Sequence, residues 1–145
     1  MIDNIIIEYV WIDGIGNLRS KIRVMYYDKN IKLDDIPNWN YDGSSTYQAN
    51  GEDSEIIIKP KTLFVNPLLK TDNNKAYIVM CDTYKPDGKP LINNHRYWAN
   101  SIFEKDLKQK PWFGIEQEYF LIDKYQNLPL GMEKGMENMK KKQGK

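Results

Sequence analysis

The sequence has one cysteine and one histidine among its 145 residues. A single cysteine excludes an internal disulfide and a cluster of thiolate ligands around a metal. Cys81 lies in the apolar run 76–81, which favours a small buried residue over a nucleophile. His95 lies on a different predicted element, so we interpret it as a surface or helix-start residue. The two residues therefore argue against Cys/His catalysis.

An excess of charge and a long apolar run are also absent. Lys and Arg number 21 against 20 Asp and Glu, which argues against a general binder of nucleic acids or membrane surfaces. No apolar run approaches the roughly 18 residues of a membrane-spanning helix. The start 1–4 lacks the basic region and apolar core of a signal peptide. We therefore expect a cytoplasmic protein of one ordinary domain or two small ones.

The first half of the chain has the alternation of β-strands. The segment Ile5 to Ile12 predicts a strand, and 13–17 supply turn residues. From 18 to 26, apolar residues on one face alternate with basic residues on the other, which predicts a hairpin with one wet face. The apolar set is Leu18, Ile22, Val24 and Tyr26, and the basic set is Arg19, Lys21 and Arg23. Further strands are predicted at 55–59, closed by Pro60, and at 76–81, whereas 34–53 and 64–75 are predicted to be irregular.

The Pro- and Gly-containing segment 84–90 indicates a junction between two parts. Asn93 or Asn94 can cap a helix whose apolar stripe follows at helical spacing. That stripe is Trp98, Ala99, Ile102, Phe103 and Leu107. Residues 123–127 have the composition of a hairpin turn. We expect domains at 1–85 and 86–131, followed by a disordered Lys- and Met-rich tail at 132–145.

Two carboxylates lie two residues apart in an aromatic and β-branched run from Trp112 to Ile122, which predicts a strand. On a strand, Glu116 and Glu118 share one face, about 6.6 Å apart along the backbone. Their mutual repulsion calls for a cation, and hard oxygen ligands suit Mg²⁺ or Mn²⁺. The alternative is an ordinary Glu-x-Glu pair whose partners are Lys or Arg on the next strand.

Five ordered blocks resemble glutamine synthetase of the eukaryotic type. The two most specific are Asn-Trp-Asn-Tyr-Asp-Gly-Ser-Ser-Thr at 38–46 and Pro-Trp-Phe-Gly-Ile-Glu-Gln-Glu-Tyr at 111–119. Blocks at 11–14, 18–21 and 79–84 follow the family in matching order, so the resemblance covers about 9–131. It implies an α+β fold, with an amino-terminal β-grasp domain followed by the helix and β-hairpin that begin a catalytic domain.

The resemblance also implies an activity and its residues. The family joins glutamate and ammonia with ATP and Mg²⁺ or Mn²⁺, through γ-glutamyl phosphate. Glu116 matches a metal ligand that also touches ATP, Glu118 matches a ligand of the other metal, and Trp112 matches a residue near the nucleotide. Asp42, in the predicted mobile loop, matches the carboxylate that favours ammonium. Asp followed by Gly and Ser also has an ordinary explanation, in which the carboxylate caps backbone N–H groups of a turn.

Beyond the segment 128–131, the family continues with further Glu, His and Arg residues that this sequence does not contain. Two Glu residues cannot complete the coordination of two hard cations, so we expect a truncated chain that is inactive alone. Its predicted partners are copies of itself or a complementing carboxy-terminal chain. The alternative is a non-catalytic module that binds a complete synthetase and regulates its assembly.

Overall fold

The computed structural model describes residues 3–27, 30–69 and 75–132. The chain divides into two compact units, Met1–Lys108 and Gln109–Lys145. The first unit therefore extends beyond residue 85 and includes the predicted helix. The domain assignment 1–85 and 86–131 stays a prediction, and all of the expected tail except Met132 lies outside the described residues.

The first unit is built on a five-stranded mixed sheet with the strand order β2-β1-β5-β4-β3. Only the central β1–β5 pair is parallel, and the other pairs are antiparallel. Within the described residues one α-helix follows the sheet, which agrees with the predicted α+β class. The strands are β1 (Asp3–Ile12), β2 (Leu18–Tyr27), β3 (Trp39–Asp42), β4 (Glu55–Val65) and β5 (Lys75–Tyr84), and the helix is α1 (His95–Phe103).

The core lies on the face formed by the odd-numbered residues of β1. Ile5, Ile7, Tyr9 and Trp11 pack with Ile58, Val79 and Cys81, and Ile31 and Ile36 lie over them. Each fully buried aliphatic side chain contributes about 1.5–3 kcal/mol relative to an exposed one. Cys81 is buried, as predicted, and burial, followed by the charge of Asp82, raises the pKa of its thiol to about 12.

The hairpin of β1 and β2 is confirmed, with Ile12 opposite Leu18 at its closed end. One face of β2 is in water, as the alternation predicts, but it is the apolar face. Its exposed residues are Leu18, Ile22, Val24 and Tyr26, between 52% and 76% exposed.

On the opposite face of β2, Arg19 is exposed and Lys21 and Arg23 are half-buried, and all three cations have partners in the fold. Arg19 donates to the buried Asp13 at 2.8 Å. Lys21 lies 3.5 Å from the ring centroid of Trp39, and Arg23 lies 5.4 Å from it, which are cation–π distances. Burial raises the pKa of Asp13, but hydrogen bonds from Arg19 and two backbone N–H groups outweigh it and hold the pKa below its ordinary value.

Strand β4 does not end at Pro60, contrary to prediction, but continues to Val65. The register with β5 shifts between Pro60 and Thr62. A bulge leaves a residue without a ladder hydrogen bond, so proline is tolerated there. The predicted irregular segment therefore begins after Val65.

The predicted loop 34–53 is also partly wrong, because Trp39–Asp42 forms β3 and pairs with β4. The sequence is polar here because β3 is a short edge strand with half-buried and exposed residues in alternation. Such a strand gains most of its stability from pairing, which local composition does not reveal.

Helix α1 begins at His95, as predicted, and His95 is exposed. Asn94 precedes it, but the side chain donates to the carbonyl of Thr83 instead of capping the helix. Arg96 ties the helix to the sheet through the buried Asp82 at 3.2 Å. No helix in the described ranges is long and apolar enough to cross a membrane.

In the second unit, β6 (Ile122–Asp123) and β7 (Leu128–Pro129) form a short hairpin around the predicted turn. The predicted strand from Trp112 to Ile122 is wrong, because only its last residue lies in β6. A strand requires a neighbour to hydrogen-bond with, and the described pairing here is confined to β6 and β7.

Candidate active site

Asp42 is the last residue of β3 and precedes the 3-10 turn Gly43–Thr46. Its Oδ1 accepts hydrogen bonds from the Ser44 N–H at 2.9 Å and from the Ser44 hydroxyl at 2.7 Å. The turn chemistry considered as an alternative for this segment is therefore present. The side chain is nevertheless exposed, so it also remains accessible to a small cation.

The same hydrogen bonds keep Asp42 charged. The Ser44 hydroxyl, then the Ser44 N–H and the Ser54 side chain, hold the pKa of Asp42 below its ordinary value, against a weaker opposing effect of burial. Hydrogen bonds to a carboxylate stabilise its ionised form. An anionic carboxylate at neutral pH is what attraction of an ammonium ion requires.

The turn that carries Asp42 is held on both sides by backbone hydrogen bonds. The Gly43 N–H donates to the carbonyl of Ser54 at 2.6 Å, and the Gln48 N–H donates to the carbonyl of Gly43 at 2.9 Å. A Cβ at Gly43 would lie 2.5 Å from Cγ1 of Ile56, so glycine is required for this approach. Asp42 therefore projects from a fixed turn rather than from the predicted loop.

Gln48 connects this turn to the first hairpin, and the sequence analysis missed it. Its Nε2 donates to the carbonyl of Ile12 at 3.1 Å, and its Oε1 accepts from the Tyr41 hydroxyl at 2.5 Å. Beside it, a Cβ at Gly14 would lie 2.2 Å from the carbonyl oxygen of Tyr47. No local pattern identifies Gln48, since its partners are contributed by β1 and β3.

An open polar cleft of about 870 Å³ lies beside the turn. Its lining includes Ser44, Asn50, Asp53, Glu55, Lys85 and Asp87. Of its acidic residues, Glu55 begins β4 and its carboxylate accepts a hydrogen bond from the Asn40 side chain. Lys85 and Asp87 were missed because only the folded chain brings the turn after β5 to this cleft.

The other three predicted site residues lie in the second unit. Trp112 is 97% exposed, and every residue from Trp112 to Leu121 is exposed. This segment forms no paired strand, so the one-face arrangement of Glu116 and Glu118 stays a prediction. The ligand roles of these residues stay predictions, and so does the role of Asp42.

The donor set for Mg²⁺ or Mn²⁺ fits in kind but not in number. Carboxylate oxygens are the ligands these ions prefer, but the ions take about six donors. Within the described residues, no group of three or more His, Cys, Asp or Glu side chains is placed to hold a metal. A metal at Glu116 and Glu118 would need further ligands from elsewhere.

The fold is similar to that of a known enzyme. A cryo-EM structure of Plasmodium falciparum glutamine synthetase matches with a TM-score of 0.51 at 20% identity, over 72% of this chain and 20% of that one. At this identity the match shows the fold, a mixed sheet with one helix.

Curated glutamine synthetases are similar in sequence to most of this chain. Glutamine synthetase of Tuber borchii is 45% identical over 132 residues, 91% of this chain and 36% of that protein. A cytosolic isozyme of rice, Oryza sativa subsp. japonica, is 47% identical over 132 residues, 89% of this chain and 36% of its own length. A protein of Acanthamoeba polyphaga mimivirus, itself assigned only provisionally as a glutamine synthetase, is 55% identical over 130 residues, 88% of this chain and 36% of its own.

No protein-family model matches the chain. The curated similarities nevertheless show that the chain is related to the amino-terminal portion of glutamine synthetase, as its sequence blocks predict. The chain spans about a third of the length of these relatives.

Proposed function

We propose that this chain supplies the amino-terminal part of a cytoplasmic glutamate–ammonia ligase, with glutamate, ammonia and ATP as substrates. The supporting observation is the 45–55% identity to glutamine synthetases over about nine tenths of the chain. The reaction passes through γ-glutamyl phosphate, which ammonia then attacks. The chain's own part in that reaction follows from the residues it contains.

Asp42 is the residue we assign to ammonium. Its carboxylate is exposed, ionised at neutral pH and fixed by the hydrogen bonds of the Gly43–Thr46 turn. An oriented anion attracts NH₄⁺ and then accepts a proton as the nitrogen becomes a nucleophile. A turn held from both sides keeps the carboxylate in place without reorganisation during the reaction.

Trp112, Glu116 and Glu118 are assigned to nucleotide and metal. The exposed indole offers a flat surface for a nucleotide base, and Glu116 and Glu118 offer carboxylate ligands. When bound, Mg²⁺ or Mn²⁺ neutralises phosphate charge and so favours phosphoryl transfer. The two carboxylates do not complete a coordination sphere, so activity requires further residues from copies of this chain or from a complementing chain.

The assay that tests this proposal is ATP- and Mg²⁺-dependent formation of γ-glutamyl hydroxamate by the purified chain, alone and with a carboxy-terminal fragment of a relative. We expect no activity from the chain alone and activity from the mixture. Glu116→Ala and Asp42→Asn in the mixture should each abolish it, whereas the exposed Glu104→Ala should not. Activity that survives Glu116→Ala, or a mixture that stays inactive with every such fragment, would contradict the proposal.

The exposed apolar face of β2 favours a second candidate function, a non-catalytic module that binds a complete synthetase. Four large apolar side chains on one strand face form the kind of surface that marks protein contacts. On this alternative, the chain co-purifies with an intact synthetase, and Glu116→Ala with Glu118→Ala leaves the complex unchanged. Val24→Lys, on the exposed face, should break it, and persistence of the complex in Val24→Lys would refute this candidate.

A further inference from the structure

The chain contains one Asn–Gly pair, Asn50–Gly51, and it lies on the wall of the polar cleft. We propose that Asn50 is a site of spontaneous deamidation, in which its side-chain amide is converted to a carboxylate without an enzyme. The proposal does not depend on the ligase function, because it concerns only the covalent chemistry of this turn.

Local geometry favours the reaction at this pair. Asn50 and Gly51 are both exposed, so water and buffer base reach them. Within the described residues the Gly51 N–H makes no hydrogen bond, and nothing lies within 4 Å of the place a Cβ would occupy. The Gly51 nitrogen is therefore free to rotate towards the side chain that precedes it, and glycine offers no Cβ to obstruct it.

Three Asp–Gly pairs in the same unit differ from Asn50–Gly51 in the hydrogen bonding of their glycine N–H. In each of them the glycine N–H is held by a backbone carbonyl. Gly14 donates to Thr46 at 2.9 Å, Gly43 donates to Ser54 at 2.6 Å, and Gly88 donates to Lys85 at 2.9 Å. A nitrogen held in this way must first lose its hydrogen bond before it can attack a neighbouring side chain. The structure thus separates Asn50–Gly51 from the other pairs in this unit that could form a succinimide, whose glycine N–H groups are all held.

The chemistry balances without an external oxidant or reductant. The Gly51 nitrogen loses its proton to solvent base and bonds to Cγ of Asn50. The Cγ–Nδ2 bond then breaks as Nδ2 takes a proton from solvent and leaves as ammonia. The product is a five-membered succinimide. Water then opens it: cleavage of the bond from the Gly51 nitrogen to Cγ leaves aspartate, and cleavage of the bond to the backbone carbonyl carbon leaves isoaspartate.

The product changes the charge of the cleft. A neutral amide becomes a carboxylate beside Asp53, Glu55 and Asp87, with Lys85 as the cation on the same wall. Like charges in one site disfavour each other's ionised forms. Deamidation of Asn50 therefore adds one negative charge to the lining of this cleft.

The test is incubation of the purified full-length chain in mildly alkaline buffer, followed by isoelectric focusing and peptide mapping with fragmentation that separates aspartate from isoaspartate. We expect an acidic species shifted by one charge, whose NH₂-to-OH exchange maps to Asn50, with isoaspartate among the products. The Asp residues at 13, 42 and 87 should show no isoaspartate.

Two variants keep the test independent of folding. Gly51→Ala fits the open space at that position and should suppress the acidic species, and Asn50→Gln should suppress it because the longer side chain does not form the five-membered ring readily. Conversion mapped to another asparagine, or equal conversion in Gly51→Ala, would overturn the proposal. So would isoaspartate at Asp87–Gly88 equal to that at Asn50, because hydrogen bonding of the glycine would then not be the determinant.

Discussion

The two segments with the strongest family resemblance differ in how the chain supports them. The Asp42 segment ends a paired strand, and its turn is fixed by hydrogen bonds to two other parts of the first unit. The Glu116 segment has the stronger strand composition of the two, yet it forms no strand and is exposed throughout. Strand propensity describes how well a residue suits a paired, half-buried surface, so it has no effect until a partner is present.

The largest difference should appear when an aliphatic side chain is removed from each region. Ile58→Ala removes a side chain that is 0% exposed and should lower the free energy of unfolding by about 2–5 kcal/mol. The matched control is Ile115→Ala, 90% exposed, which should change it by less than about 0.5 kcal/mol. Urea unfolding followed by circular dichroism measures both. Equal losses would show that the 112–121 segment is packed in solution.

A methyl group added at glycine gives the next largest contrast. Gly14→Ala places a Cβ 2.2 Å from the backbone oxygen of Tyr47, so the turn must shift, at a cost of about 1–3 kcal/mol. Gly114→Ala meets nothing within 4 Å and should be neutral or slightly stabilising. Thermal unfolding of the two variants compares them directly. A neutral Gly14→Ala would mean that the contact between the hairpin and the Asp42 turn is loose.

A pair of glutamines tests the hydrogen bonds alone. Gln48→Ala removes the bonds to Ile12 and Tyr41 and should destabilise the unit by about 1–3 kcal/mol, taking about 0.5–1.5 kcal/mol for each bond. Gln117→Ala removes only an exposed contact with its neighbour and should be silent within about 0.5 kcal/mol. If both variants unfold at the wild-type urea concentration, the bridge through Gln48 does not anchor the turn.

The smallest expected effect is a shift in one titration. Ser44→Ala removes the hydroxyl that most lowers the pKa of Asp42, so the pKa should rise towards its ordinary value. Because the folded-state pKa is depressed, the associated stability is present above the unfolded pKa and is lost as pH falls through the folded value. Carboxyl NMR titration of wild type, Ser44→Ala and Ser45→Ala measures this. An unchanged Asp42 titration in Ser44→Ala would exclude that hydroxyl as the cause.

Strand positions were readable in the sequence where the strand carries its own burial pattern. The alternation in β1 and β2 placed the hairpin, and the apolar run around Cys81 placed β5. The predicted end of β4 at Pro60 is wrong because a bulge accommodates the proline. The sequence does not predict β3 because a four-residue edge strand has little pattern of its own. The alternation in β2 predicts that one of its faces lies in water. Which face does so depends on Asp13 and Trp39, the partners of its cations, and these come from other segments.

The resemblance to glutamine synthetase, and with it the candidate residues Asp42, Glu116 and Glu118, could be predicted from the sequence, because ordered motifs can be compared without any knowledge of contacts. The sequence also placed most strands, since side-chain period follows backbone geometry. The anchoring of Asp42 by Ser54 and Gln48, the cleft, and the unhindered nitrogen of Gly51 required the folded chain. Each of these depends on residues that folding brings together from distant segments, and local composition does not predict such partners.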